Sequence, residues 1–521
     1  MALLRSFATV GGLTAVSRVL GFVRDVLIAA VLGAGPVADA FFVAFRFPNL
    51  FRRLFAEGAF NAAFVPLFSR ELEQQGREAA KAFAEESLSL LLFALLVLVA
   101  LCMAGMPWLM QGIAPGFAAD PAKYALAVDL TRITFPYLLF MALVALFSGL
   151  LNSLYRFAAA AAAPILLNVF FIAALALVIP LFDLGAGDTP GYVLAWTVAL
   201  AGAGQFVLLV IAAARAGMPL RLPRPRLTPR ARRLMKLMGP GILSAGAMQI
   251  NLLIGTIIAS LQASAVSYLY YADRVYQLPL GLIGIGIGVV LLPELSRRLR
   301  AGAETSANNA FNRALEISLF LTLPATAALI VVADPIVAVL FQRGAFGAEA
   351  AAATAAALAA FATGLPAYVL VKVLQPPFFA REDTVTPLKA ALATVAANIA
   401  LSLLLFPAMG FLGLAFATAA ASWLNIAILA WVLRRRGHAP LDARFLARLP
   451  RMLLASLAMG GAVYGLNLLL VPWFAGAAEL RIAALILLVA GGAAVYGLLA
   501  LALGAIRLSE IGDVLRRPPR T

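Results

Sequence analysis

Fourteen long, nearly unbroken apolar stretches run through this chain, at roughly 8–33, 37–67, 84–111, 126–152, 159–182, 190–213, 237–261, 267–295, 314–342, 350–379, 388–407, 412–433, 452–472 and 482–506. Crossing the hydrocarbon core of a bilayer as a helix takes about 20 apolar residues. No soluble fold hides so much apolar surface: 63% of the residues are hydrophobic and 12% charged, against about 25% charged in soluble domains. An outer-membrane barrel would show short alternating segments instead. In lipid every backbone polar group needs an internal partner, which long segments satisfy as helices. The expectation is an all-α polytopic membrane protein with fourteen transmembrane helices. The first segment carries Arg18, Arg24 and Asp25, which a cleavable signal peptide would not tolerate, so it is expected to stay as the first span.

Charge distribution tests that count. With the N-terminus inside, one set of loops and tails holds 29 Lys and Arg and the other only Lys123, Arg132, Arg343 and Arg481. Adding or removing one span would scramble the split, so both termini are expected in the cytoplasm. The formal net charge of +16 is then topology signal plus attraction to anionic lipid, and nucleic-acid binding is not expected. Enzyme chemistry is not expected either. Cys102 is the one cysteine and His438 the one histidine, and no GxxxxGK[ST] phosphate loop occurs. Disulfides, Cys- or His-based metal sites and Ser/His/Asp triads are thereby excluded, and no cofactor is implied.

Residues 215–236, rich in Pro and Arg, read as a solvated linker lying on headgroups. A repeat flanks it. Val65-Pro66-Leu67-Phe68-Ser69-Arg70-Glu71-Leu72 resembles Leu292-Pro293-Glu294-Leu295-Ser296-Arg297-Arg298-Leu299, and each follows an aromatic, Arg-bearing segment (Phe41–Arg46 and Tyr270–Arg274). Six spans separate the equivalents. An even number implies parallel repeats related by an axis along the membrane normal. The expected organisation is an N-terminal lobe 1–214, the linker, a C-terminal lobe 237–434, and two extra helices with a tail in 435–521. Those last spans read as lipid-facing helices, or as a groove for a long lipid tail.

Seven cations remain at membrane depth: Arg18, Arg24, Arg46, Arg52, Arg53, Arg274 and Lys372. The acids at comparable depth are Asp25, Asp39, Glu57 and Asp273. A charge at the bilayer centre costs about 2.5–3.5 kcal/mol on insertion scales, so these groups are expected to face protein or a water-filled cavity. Arg18 and Asp25 share a helix face, as do Ser17 and Arg24, and Asn49 lies beside Arg46 and Arg53. Arg46 is a candidate partner for Asp39, and Arg53 for Glu57. The expected picture is a central cavity between the lobes, more cationic than anionic, suited to a phosphate or carboxylate.

Three blocks carry a resemblance: Ser17-Arg18-Val19-Leu20-Gly21-Phe22-Val23-Arg24-Asp25 with Asp39-Ala40-Phe41-Phe42-Val43-Ala44-Phe45 and Asn49–Phe60; Tyr270-Tyr271-Ala272-Asp273-Arg274; and Phe379–Pro387. They resemble the bacterial lipid II flippase (MurJ/MviN) family of the multidrug/oligosaccharidyl-lipid/polysaccharide exporter superfamily, over essentially the whole chain. The resemblance implies a transporter that moves the undecaprenyl-pyrophosphate-linked disaccharide pentapeptide from inner to outer leaflet for peptidoglycan synthesis, with other cell-wall synthesis proteins as conceivable partners. Its functional arginines fall on Arg18, Arg24, Arg52 and Arg274, and its cavity acid on Asp39. Some relatives bind sodium through acids in helices seven, eleven and twelve; this chain departs from that pattern, offering Asn251, Asn398 and Asn425 and no Asp or Glu there. Two alternatives are a drug or polysaccharide-lipid exporter of the same superfamily, and a non-transporting scaffold for cell-wall enzymes. The basic cavity argues against a carrier of cationic drugs, and a scaffold would not need buried cations.

Overall fold

The computed structural model describes residues 2–52 and 60–507, so the expected site residue Glu57 and its candidate partner Arg53 lie outside the described residues. Among the described residues there is no strand. The helices are α1 Ala2–Leu32, α2 Pro36–Phe51, α3 Asn61–Ala104, α4 Met106–Ile113, α5 Pro121–Thr134, α6 Tyr137–Ser153, α7 Phe157–Ala173, α8 Ile179–Leu181, α9 Thr189–Arg215 and α10 Pro229–Ser260. There follow α11 Ala265–Arg300, α12 Glu304–Val331, α13 Ala333–Phe341, α14 Ala348–Ala362, α15 Leu365–Leu374, α16 Pro376–Phe379, α17 Val385–Met409, α18 Phe411–Arg435, α19 Ala443–Leu469, α20 Val471–Phe474 and α21 Ala478–Ala502. Eleven helical segments among the described residues are long and apolar enough to cross a membrane. The spans expected at 8–33 and 237–261 coincide with α1 and α10, and α2 covers the first part of 37–67; α1, α2 and α10 are outside the eleven. The chain is an all-α, multi-pass membrane protein.

Helix limits follow local chemistry. Asp120, Thr228 and Asp442 cap α5, α10 and α19, each accepting from first-turn N–H groups: Ala122 at 3.1 Å, Ala231 at 3.1 Å and Phe445 at 2.6 Å. Such a cap satisfies donors that no intrahelical carbonyl can reach. Pro121 and Pro229 follow two of these caps, where a missing N–H does no harm. Gly76 has φ +83° and ψ −177°, which makes α3 two helices joined at a bend. Glycine reaches that region without a Cβ clash.

The described residues divide into two packing units, 1–267 with 343–346, and 268–342 with 347–521. Within the first unit, α10 packs on α3. Within the segment 215–236, residues 221–227 are exposed, and three hydrogen bonds tie it to α3. Arg221 N donates to Glu85 Oε1 (2.8 Å), Thr228 Oγ1 to Glu86 Oε2 (2.8 Å) and Ser89 Oγ to the Pro223 carbonyl (2.7 Å). Glu85 and Ser89 of α3, with Glu86, thus hold this extended segment along that helix.

In the first unit, Phe41 and Phe45 of α2 pack edge-on against Phe171 of α7, at 6.2 and 5.8 Å. In the second, α19 and α21 pack with α12. There Glu316 is buried, paired with Arg313, with Arg444 at 3.2 Å and with Arg448 at 3.4 Å. Tyr496 of α21 donates to the Phe320 carbonyl (2.8 Å). Outward faces of these two helices expose Leu454, Leu457, Ile486 and Val489, as a lipid-facing surface does.

Candidate substrate-binding residues

The charged cluster of α1 is organised by one residue of α7. Arg24 Nε and Nη2 donate to Asp25 Oδ1 at 3.0 and 2.8 Å, and Nη1 donates to Asn168 Oδ1 at 3.0 Å. The guanidinium lies 5.4 Å from the Phe171 ring centroid. Asn168 Nδ2 in turn donates to the Ser17 carbonyl at 2.9 Å, with Ser17 Oγ at 3.5 Å. Arg24 and Asp25 are 8% and 2% exposed. The pair is held where desolvation is large, so its geometry depends on these added hydrogen bonds. Gly21 faces the Asn168 amide, and a Cβ there would meet it at 3.6 Å, an ordinary van der Waals contact. Sequence reasoning grouped Ser17, Arg24 and Asp25 but missed Asn168. Its signal was available, since Asn168 is the one strongly polar residue in the otherwise apolar Phe157–Ala173.

Arg18, one and a half turns earlier, is exposed and makes no ion pair with any described residue. Of the pair Arg18 and Arg24, one is therefore exposed and the other buried and paired. On α2, Asn49 Nδ2 donates to the Phe45 carbonyl at 2.8 Å, which aims its Oδ1 at Arg52 Nε, 3.0 Å away. Arg46 does not pair with Asp39. Its Nη1 donates to Thr256 Oγ1 of α10 at 2.9 Å.

Asp39 is fully buried and receives four donors: Lys123 Nζ at 2.6 Å, Ser264 N at 3.0 Å, Ser267 N at 2.9 Å and Ser267 Oγ at 2.5 Å. Lys123 also sits 4.1 Å from the Phe117 ring centroid. The carboxylate therefore caps the first turn of α11 from outside the helix and neutralises a lysine read above as a loop cation. Nothing in the local pattern flagged this. Lys123 lies 84 residues away, and the other partners are largely backbone N–H groups.

In the second unit, Arg274 lies over the ring of Tyr270 one turn earlier, 4.6 Å from its centroid. Asp273 accepts from Gln277 one turn later. Tyr276 is buried between Phe361 of α14 (5.1 Å) and Tyr368 of α15 (5.4 Å), which fixes the rotation of α11 about its axis. Lys372 is exposed on α15, its stem running along the Gly284–Gly288 face of α11.

The third sequence block also resolves into geometry. Asp383 accepts from Thr386 Oγ1 (2.6 Å), Thr386 N (2.9 Å), Val385 N (3.1 Å) and Arg436 Nη1 (2.6 Å). These bonds, those from Thr386 first, hold its carboxyl well below the usual range. The block is a clamp joining the start of α17 to the end of α18.

In fold, the chain is similar to a solved structure described as "Lipid II flippase MurJ, inward closed conformation", with a TM-score of 0.78, 24% identity, and coverage of 97% of this chain and 99% of that one. It is also similar to an inward-facing multidrug resistance MATE family transporter of the MOP superfamily, with a TM-score of 0.66, 15% identity, and coverage of 81% and 94%. The apolar helices in this arrangement define an all-α polytopic membrane protein. Sequence comparison is narrower. The profile described as "Lipid II flippase MurJ" matches residues 28–484. A "Probable lipid II flippase MurJ" of Rhizobium meliloti (strain 1021) is 47% identical over 99% of this chain and 97% of its own length. "Lipid II flippase MurJ" of Burkholderia cenocepacia is 38% identical, over 84% and 85%. The chain belongs to the lipid II flippase MurJ family.

Proposed function

We propose that this protein flips lipid II, the undecaprenyl-pyrophosphate-linked peptidoglycan precursor, from the inner to the outer leaflet of the bacterial cytoplasmic membrane by alternating access. The observation that carries the reading is near full-length kinship, at 47% identity, with a protein named as that flippase. Both termini lie in the cytoplasm on the inside-positive split of loop charges. The cargo matches the chemistry of the charged helices. A pyrophosphate asks for several arginines, and a chain 55 carbons long stays in lipid while the polar head crosses.

Arg18, Arg24, Arg52 and Arg274 meet the pyrophosphate. Arg18 is the exposed cation of α1, and Asn49 presents Arg52. Ser17, Asp25 and Asn49 position these groups, Asp273 lies next to Arg274, and Glu57 belongs to the same set by sequence. Asp39 contributes by fixing the start of α11, the helix that carries Arg274. A charge-assisted hydrogen bond contributes roughly 1.5–3 kcal/mol, so loss of one arginine weakens capture at least about tenfold.

Complementation of a depleted strain tests this. Arg18→Ala, Arg52→Ala and Arg274→Ala are expected to fail at normal membrane abundance, and Arg→Lys to fail where two parallel hydrogen bonds are needed. Normal growth with Arg18→Ala and Arg274→Ala, each at wild-type abundance, would remove the arginines from the substrate site.

A further inference from the structure

We propose that a cleft on the first packing unit, formed by the start of α1, the α6–α7 turn and the end of α9, binds one anionic phospholipid by its phosphate. The cleft has a volume of about 450 Å³, within the range of small-molecule sites. Its walls include Leu151, Phe157, Leu208 and Ile211, and Arg156 and Arg215 also line it. Both arginine side chains are exposed, and neither makes a hydrogen bond or ion pair with any described residue. No acid is among the residues that line the cleft. An apolar slot with two unneutralised guanidinium groups is complementary to a phosphodiester carrying acyl chains.

Position narrows the ligand to a membrane lipid. Arg156 and Arg215 fall on the side that the loop charges assign to the cytoplasm, where basic pockets between transmembrane helices take anionic headgroups. Tyr155 stands beside them, 81% exposed at φ +58°, its ring edge-on to Phe157 at 6.3 Å. The turn holds it there: Tyr155 N donates to the Asn152 carbonyl and Arg156 N to the Leu151 carbonyl, at 3.0 and 2.8 Å. An exposed tyrosine at a helix end marks the interfacial depth of a bilayer. From the cleft, α7 and α9 present Val169, Val207 and Leu200 outward, a path for acyl chains. The proposal does not depend on the cargo.

Native mass spectrometry of the purified full chain, titrated with phosphatidylglycerol in phosphatidylcholine, tests the site. One tightly bound phosphatidylglycerol per chain is expected. At about 1 kcal/mol for each arginine, Arg156→Ala/Arg215→Ala is expected to weaken it about thirtyfold. Arg224→Ala/Arg226→Ala, which removes two linker cations, is expected to leave it unchanged. Leu208→Trp/Ile211→Trp fills the slot with both arginines in place and is also expected to lose the lipid, which covers the case in which the arginine variant does not fold. Equal loss in the linker variant would reduce the effect to diffuse surface charge. Retention of the lipid in the groove variants, or its displacement by inorganic phosphate at matching concentration, would overturn the assignment.

Discussion

Removing the Arg24–Asp25 pair in steps separates its two possible duties. Arg24→Leu strands a buried carboxylate, and Asp25→Leu strands a buried guanidinium. Breaking one side of a buried pair costs about 3–5 kcal/mol. The double variant removes both members of the pair together. Its remaining deficit includes the Asn168 Oδ1 left without Arg24, worth about 1–3 kcal/mol for an unsatisfied buried acceptor. The double variant is therefore expected to be more stable than either single one, by a coupling of several kcal/mol that a double-mutant cycle reads directly. Membrane abundance and resistance to thermal aggregation in detergent give that ranking. Complementation gives the other half: with stability restored, growth is still expected to fail if Arg24 meets the pyrophosphate as proposed. A double variant that is abundant and supports normal growth would refute a substrate role for Arg24. One no more stable than the single variants would refute the ion-pair reasoning.

Asp39→Asn is expected to lower membrane abundance strongly by leaving Lys123 charged and buried, and Lys123→Met in the same chain to restore much of it; no rescue would mean that the cap on α11 matters more than the charge. Glu316→Gln is expected to loosen α19 from α12, since Arg448 is buried beside it, and limited proteolysis within 436–443 is the readout. Because Asp383 has a depressed pKa in the folded protein, its clamp is present at neutral pH and is lost as pH falls below the ordinary carboxylate range, so thermal stability drops on acidification. Asp383→Asn is expected to flatten that drop; an unchanged acid profile would place the sensitive group elsewhere.

Most of the helical order was legible in the sequence, because burial in lipid leaves few options for a 20-residue apolar run. The charged positions of α1 were legible for the same reason: Arg18 and Arg24 are costly in a membrane and need a purpose. What periodicity could not reveal were partners set by packing. Asp39 looked like a group facing a cavity, yet its donors come from Lys123 and from the N–H groups of Ser264 and Ser267. Composition marked 215–236 as exposed but could not show that Glu85, Glu86 and Ser89 of α3 bind it at specific points. The bend at Gly76 sits inside a charged run whose helix propensity is otherwise good, so no breaker pattern surrounds it. Asn168 is the instructive omission, since a lone amide in an apolar helix is a signal that sequence alone supplies.

The most direct test is a flipping assay with the purified full chain in liposomes. Fluorescent lipid II is placed in both leaflets, and its exposure to an impermeant quencher is followed with time. With wild-type protein, the protected inner-leaflet fraction is expected to become accessible at a rate that scales with protein per vesicle, and Arg18→Ala and Arg274→Ala are expected to slow that rate at least about tenfold. A wild-type rate no faster than that of empty liposomes would contradict lipid II flipping itself. An equal rate in both arginine variants would contradict the pyrophosphate site while leaving transport standing.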